Sequence, residues 1–340
     1  MDQNMQQNMQ TTKKTQGTQD TVQTNCFPSL NSGYNSVFKL GKLSIGLVVP
    51  LERYESGPVP TMEDHLTRVQ LAERLGFKSV WLRDVPFNVP AFGDAGHVFD
   101  PFVYLGYLAA QTKTIALGVA SIVLPLRHPA HVAKSAASVD VLSNGRVILG
   151  VASGDRPQEY PAMELEYENR GERFRDSFEY IRKMQNDKPT FDNRYGKFDH
   201  DSDIDMLPKS TNGRLPLLVT GGSQQSPEWI AKNSDGCMVY PHDPLVQKLF
   251  VEDWYNRLKR YNRAPQPVMQ PLYFDLATSN SAKPEPIHLG FRSTVEYLVG
   301  YLKSLERAGI SHVALNLRFN QLDIETTLNL LAEKVLTEFS

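Results

Sequence analysis

Cysteine is almost missing from this chain: Cys26 and Cys237 are the only two in 340 residues. They share neither a metal-like nor a redox-like spacing, so a disulfide framework is not expected and a reducing, cytoplasmic setting is. No group of Cys, His, Asp and Glu has the spacing of a metal site, and no metal is expected. No apolar run reaches the roughly 18 residues that a membrane helix needs. Charge of one sign is not in excess either. The formal net charge of −2 gives no bulk attraction to nucleic acid or to an anionic membrane. The first strand-like run is followed by Pro50-Leu51-Glu52-Arg53 rather than G-x-G-x-x-G, which disfavours a dinucleotide-binding domain. A G-x-S-x-G elbow and a Ser/His/Asp set are also missing, so hydrolase chemistry has no evident nucleophile.

Apolar residues are scarce at the start of the chain. Residues 1–36 are rich in Gln, Thr and Asn, with almost nothing apolar before Phe27. Such a composition buries too little surface to offset chain entropy, and it predicts a disordered leader ahead of a folded unit over 37–340. The leader carries neither the continuous apolar stretch of a secretory signal nor the Arg-rich amphipathic pattern of a transit peptide. Beyond it, 41% hydrophobic and 22% charged residues are ordinary for a chain that buries a sizeable core.

What is present is alternation. Eight short apolar, β-branched runs occur at 43–49, 77–82, 114–124, 146–151, 216–220, 236–240, 271–277 and 311–317. Continuous apolar runs suit parallel strands covered on both faces. Helical stripes fill the gaps: Met62, Leu66, Val69 and Ala72 before Gly76; Phe174, Phe178, Ile181 and Met184; Val295, Leu298, Leu302 and Leu305; Leu331 and Val335. Pro101, Pro129 and Pro227 stand where helices should begin. Eight strands, each followed by a helix, predict an α/β fold closed as a (β/α)₈ TIM barrel. The irregular stretch 187–213 is an insertion between strands 4 and 5, expected over or beside the active-site face.

In such a barrel the chemistry sits at the C-terminal ends of the strands. After strand 5, Gly221-Gly222-Ser223-Gln224-Gln225-Ser226 offers close backbone approach and hydroxyls to an anion such as a phosphate. The same residues also suit a plain turn with Ser226 capping the next helix. After strand 4, Ser153, Gly154 and Arg156 are phosphate-compatible, while Asp155 and Arg156 equally suit a surface pair. After strand 3, Arg127-His128-Pro129 brings a histidine to a helix start, as catalyst or as structural residue. Loops 52–61, 85–99 and 187–213 are expected to line the pocket.

The stretch TIALGVASIVLPLRHPAHVAKSAASVDVLSNGRVILGVASGD (114–155), with PLLVTGGSQQSPEWIAKNSDG (216–236) and weaker matches at 77–84 and 309–317, resembles the bacterial luciferase-like monooxygenase family. The resemblance covers about 38–338. It implies a flavin oxidoreductase that uses reduced FMN and O₂ on a small organic substrate, with the flavin supplied by a separate flavin reductase and the chain a possible homodimer. A deazaflavin-dependent dehydrogenase on the same barrel, or a non-catalytic flavin-binding barrel, are its alternatives. By resemblance Ser153, Gly154 and Asp155 contact the flavin, and Gly221, Gly222, Ser223 and Ser226 form the phosphate turn. Leu124 and His128 line the ring pocket, and a non-prolyl cis peptide falls at Ala120–Ser121. Asp84, Arg127 and His128 are the polar candidates for catalysis, with Arg83 beside them. The chain departs from the luciferase itself at Val85 and Pro86, which replace two histidines. Ala152 stands in place of its reactive thiol, and Ser153 in place of its phosphate-binding arginine. Light emission from an aldehyde is therefore not expected.

Overall fold

The computed structural model describes residues 26–54, 57–199, 201–279 and 282–339; the first 25 residues of the expected leader lie outside these. Eight parallel strands close into a barrel: β1 (Ser44–Val48), β2 (Ser79–Leu82), β3 (Ala116–Val123), β4 (Val147–Ala152), β5 (Leu217–Thr220), β6 (Cys237–Met238), β7 (Val268–Leu276) and β8 (His312–Asn316). Pairing runs around the ring, from Leu47↔Val80 between β1 and β2 to Ser44↔His312 between β1 and β8. Cys237↔Val268 joins β6 to β7, so no edge is left among these eight. Each strand falls on an apolar run read from the sequence, because a strand covered on both faces has no polar side to show.

Nine α-helices are described: α1 (Ser32–Val37), α2 (His65–Leu75), α3 (Pro101–Gln111), α4 (Pro129–Leu142), α5 (Arg170–Lys183), α6 (Pro227–Asn233), α7 (Pro244–Arg260), α8 (Val295–Arg307) and α9 (Ile324–Lys334). Local chemistry sets their ends. Asp100 and Ser226 accept N–H bonds as N-caps before Pro101 and Pro227. Gly76, at φ 93°, closes α2 in the left-handed conformation that glycine adopts freely. Among the described residues no helix is long and apolar enough to cross a membrane.

The core has two parts. One lies between the barrel and its helices. The other fills the barrel interior, where Val48, Trp81, Ile148, Leu218, Met238 and Met269 pack together. Trp81 is fully buried, and its indole Nε1 donates to His312 Nε2 at 3.0 Å. Burial lowers His312 to about 3, so it stays neutral and can accept. Room for the indole comes from Gly118 on the next strand, where an added Cβ would lie 2.2 Å from Trp81 Cε3. Gly118→Ala is expected to lower stability by about 1–3 kcal/mol through overpacking. Gly106→Ala on α3, where nothing lies within 4 Å, gains about 0.5–1 kcal/mol from helix propensity. Urea denaturation of the two variants checks both signs.

Two expectations are corrected. The end of the expected leader, from Phe27 to Ser36, is packed rather than disordered. Phe27, Leu30, Tyr34, Val37 and Phe38 join the interior core, and Tyr34 is fully buried. Two of its residues, Asn31 and Tyr34, bury their polar groups against specific partners. Asn31 donates to Asp140 Oδ1 (2.9 Å) and to the Val147 carbonyl (2.8 Å), and Tyr34 donates to the Asp235 carbonyl (3.0 Å). The second correction concerns 187–213, which contributes nothing to the cavity at the barrel mouth. Its hairpin, Phe191–Asn193 with Gly196–Phe198, packs Phe191 on Tyr180 of α5 (ring centroids 4.6 Å apart). The chain then reaches Asp140, which accepts from the Thr211 amide at 2.8 Å. The hairpin runs back along α5, where Arg194 pairs with Asp176 and with Glu172 in the first turn, so the insertion lies beside the barrel wall without lining the cavity.

Candidate functional site

A cavity of about 480 Å³ opens where the strands end. Ala120 and Ser121 of β3 lie on its floor, and the peptide bond between them is cis, as the resemblance implies. The β3–β4 register shifts across this point, between Val119 and Ile122. Ser121 Oγ is hydrogen-bonded to Thr220 Oγ1 at the end of β5.

One side of the cavity is formed by the turn after β5. Gly221 (φ 54°), Ser223 (φ 44°) and Gln224 (φ 58°) take left-handed conformations, and Ser223 Oγ donates to the Thr220 carbonyl at 2.7 Å. At Gly221 and Gly222 an added Cβ would meet nothing within 4 Å, so the turn borders open space. The start of α5 packs on this turn: Gln225 Nε2 donates to the Gly171 carbonyl at 2.8 Å. Asn169, the N-cap of α5, makes no side-chain cap bond. Beside it, Arg170 lines the cavity with its guanidinium 3.7 Å from the Tyr167 ring centroid. Arg170 Nε and Arg156 Nη1 are buried without hydrogen-bond partners. Unpaired buried donors carry a desolvation cost that a bound anion removes.

The opposite side is organised by Asp94, which Arg83 grips with Nη1 on Oδ2 (2.6 Å) and Nη2 on Oδ1 (3.0 Å). Tyr54 and the Gly96 amide donate to Oδ1. Burial alone would raise the Asp94 carboxyl, but Arg83, the Gly96 amide and Arg318 outweigh it and hold the carboxyl below its usual range.

Glu159 lies between the two sides. It is buried, Oε1 has no hydrogen-bond partner, and Arg156 Nη1 stands 4.0 Å away. Burial, more than the opposing pull of Arg156, pushes its carboxyl up to about 7, with Asp84 and Asp155 adding to the rise. An acid that titrates near neutrality at a cavity wall can hold or release a proton at the pH of the cell.

Of the residues expected from sequence, the cavity brings together Asp84, Ala120, Ser121, Ser153, Gly154, Asp155, Gly221, Gly222 and Ser223. Four lie elsewhere. Leu124 is buried in the core outside the cavity lining. Ser226 caps α6, accepting from the Trp229 amide at 3.1 Å. His128 is exposed, N-caps α4 and meets the Tyr195 ring edge-on (centroids 5.4 Å apart). Arg127 lines a smaller neighbouring cavity of about 340 Å³. Its Nε and Nη2 fork the two oxygens of Asp84 at 2.8 and 2.7 Å, and Nη2 also reaches Asp100. Asp84 accepts from the Val123 amide as well (3.1 Å), so it ties the end of β2 to the end of β3. Sequence reasoning missed Asp94, Glu159, Arg170, Tyr273 and His288, all on the wall. Tyr273 lies inside the strand run 271–277 and Arg170 at the head of the stripe that starts α5; Asp94, Glu159 and His288 had no comparable signal.

The chain matches the family model for luciferase-like monooxygenases over residues 44–283. It is 28% identical over 195 residues to the oxygenase component of flavin-dependent trigonelline monooxygenase from Acinetobacter baylyi, covering 53% of this chain and 49% of that protein. It is 29% identical over 170 residues to F420-dependent glucose-6-phosphate dehydrogenase from Amycolatopsis mediterranei, covering 48% and 49%. The chain thus spans about half the length of these two relatives. Among solved structures, an F420-dependent secondary alcohol dehydrogenase holding an F420–acetone adduct superposes with TM-score 0.72 at 18% identity, over 88% of this chain and 99% of that one. The FMN-bound oxygenating constituent of 3,6-diketocamphane monooxygenase from Pseudomonas putida gives 0.69 at 15%, over 88% and 99%. At these identities the likeness is one of fold.

Proposed function

The chain belongs to the luciferase-like monooxygenase family, and from that premise we propose that it is a monooxygenase using reduced FMN and O₂ on a small organic substrate. Its relatives use either a flavin or a deazaflavin, so a flavin-type cofactor is common ground. The observation that carries the reading is the anion-receptive side of the cavity. An open glycine turn at Gly221–Gly222 lines the same cavity as two buried arginine nitrogens, on Arg156 and Arg170, that have no hydrogen-bond partner. These groups fit a single phosphate at the end of an elongated cofactor.

When bound, reduced FMN supplies the electrons that activate O₂ for insertion of one oxygen atom into the substrate. The protein's own part is positioning and proton control. Arg156, Arg170 and the turn hold the phosphate. Ala120 and Ser121 support the cofactor from the floor, and Asp84, locked by Arg127, fixes the loop after β2. Glu159 holds a proton below about pH 7 and is the acid of this reading, the role first sought in His128, Asp84 and Arg127. Free reduced FMN comes from a separate flavin reductase.

Titrating the purified full chain with FMN and with a deazaflavin cofactor tests the assignment. FMN is expected to bind more tightly, and the reverse order turns the reading into a dehydrogenase on the same barrel. Glu159→Gln is expected to abolish the fall in turnover as pH rises through about 7. The same substitution has a stability signature. A carboxyl raised in the folded state costs stability above its unfolded value near 4. Glu159→Gln therefore raises Tm at pH 8 and leaves it unchanged below about pH 4. An unaltered pH–rate limb in the variant removes Glu159 from the mechanism.

A further inference from the structure

The β2 side of the cavity carries a charge that its own residues do not balance. Arg83 and Arg318 both bind Asp94, with Arg318 Nη1 3.0 Å from Oδ2. One carboxylate thus faces two guanidiniums. Asp94 is also saturated, accepting from both arginines, from Tyr54 and from the Gly96 amide. Asp84 and Asp100, the neighbouring carboxylates, are both bound by Arg127. His97 is neutral, lowered to about 3 by burial and by Arg83. Tyr54 and Tyr273 are held above the usual phenol range, mainly by burial, so they stay protonated. Arg83 Nε and Arg318 Nε are buried without partners. A surplus buried guanidinium at a cavity wall is stabilised by an incoming anion and above all by a planar carboxylate.

We propose that the β2 side of the cavity, at Arg83 and Tyr273, binds the carboxylate of a small organic acid that is the substrate. The proposal rests on the reading of the cavity as a flavin site, because it gives the two anion-receptive sides different occupants. Gly221–Ser223 follows β5, three strands around the ring from the Arg83 end of β2. One side takes the cofactor phosphate and the other takes the substrate. Tyr273 and His288, whose rings meet edge to face with centroids 5.4 Å apart in the cavity lining, suit an aromatic or otherwise flat acid.

Benzoate and its uncharged counterpart benzamide are the probes, measured by calorimetry on the full chain with and without saturating FMN. Benzoate is expected to bind at least tenfold more tightly than benzamide, and Arg83→Gln to erase that preference. Equal binding of the two probes to the wild type overturns the proposal without any variant. If Arg83→Gln instead weakens FMN tenfold, Arg83 belongs to the cofactor phosphate and the proposal falls. Arg83→Lys, which keeps the charge next to Asp94, guards against a folding failure and should retain part of the preference. If the wild type does not bind FMN at all, the flavin reading fails, while the benzoate comparison on the FMN-free chain still decides the carboxylate site.

Discussion

Gly222→Val is expected to raise the dissociation constant for FMN by about a hundredfold while leaving the melting temperature close to that of the parent. The reason is steric and local. Gly222 has no left-handed φ, so valine is compatible with the backbone, and its Cβ would enter space with nothing within 4 Å. That space belongs to the cavity that Arg156 and Arg170 also line, where we place the phosphate. A side chain there displaces the phosphate from both arginines. Hydrogen bonds to charged groups contribute about 1.5–3 kcal/mol each, and two of them amount to about a hundredfold or more in affinity. Arg170→Ala removes one and should cost about tenfold to a hundredfold. Fluorescence quenching of FMN measures both. Unchanged affinity in both variants would place the phosphate elsewhere.

The largest expected loss of stability comes from a residue far from the chemistry. Asp235 is buried, and Arg214 Nη2 reaches Oδ1 at 2.6 Å. Arg182 and the Leu217 amide bind Oδ2, and Arg263 stands 3.9 Å from Oδ1. Burial alone would raise this carboxyl, yet Arg182, Arg214 and the Leu217 amide together hold it below its usual range. Asp235→Ala leaves the arginines facing one another without their anion, a change that costs about 3–5 kcal/mol. The pH dependence follows from the depressed value. The stabilisation is fully present above the unfolded carboxyl value near 4 and is lost as pH falls through the lower folded value. Denaturant curves between pH 3 and pH 8 should show the gap between parent and variant closing only at the acid end.

Much of the architecture was legible because parallel strands and proline-started helices write themselves into short contiguous segments. All eight strands and the helix starts at Pro101, Pro129 and Pro227 came from such runs. The backbone part of the site was legible for the same reason, since Gly221-Gly222-Ser223 is contiguous. The side-chain part was not. Asp94, Glu159, Arg170 and Tyr273 come from four separate segments that closure of the barrel brings together, and each alone looks like an ordinary residue. His128 misled in the opposite way: adjacency to Pro129 marks a helix start, and capping that helix is what it does. Composition failed at Phe27–Ser36, because Asn31 and Tyr34 reach their partners through specific hydrogen bonds that no average of polarity records.

The packed segment ahead of β1 also bears on how the chain is assembled. Its anchors are Asp140, Val147, Asp235 and Gln266, more than a hundred residues downstream in every case. During synthesis Phe27–Val37 is among the earliest described segments to leave the ribosome, yet the last of these anchors, Gln266, arrives only as β7 is about to begin. Contacts of such long range form slowly. This early stretch is thus among the last to settle, acting as a stopper that waits for its bottle.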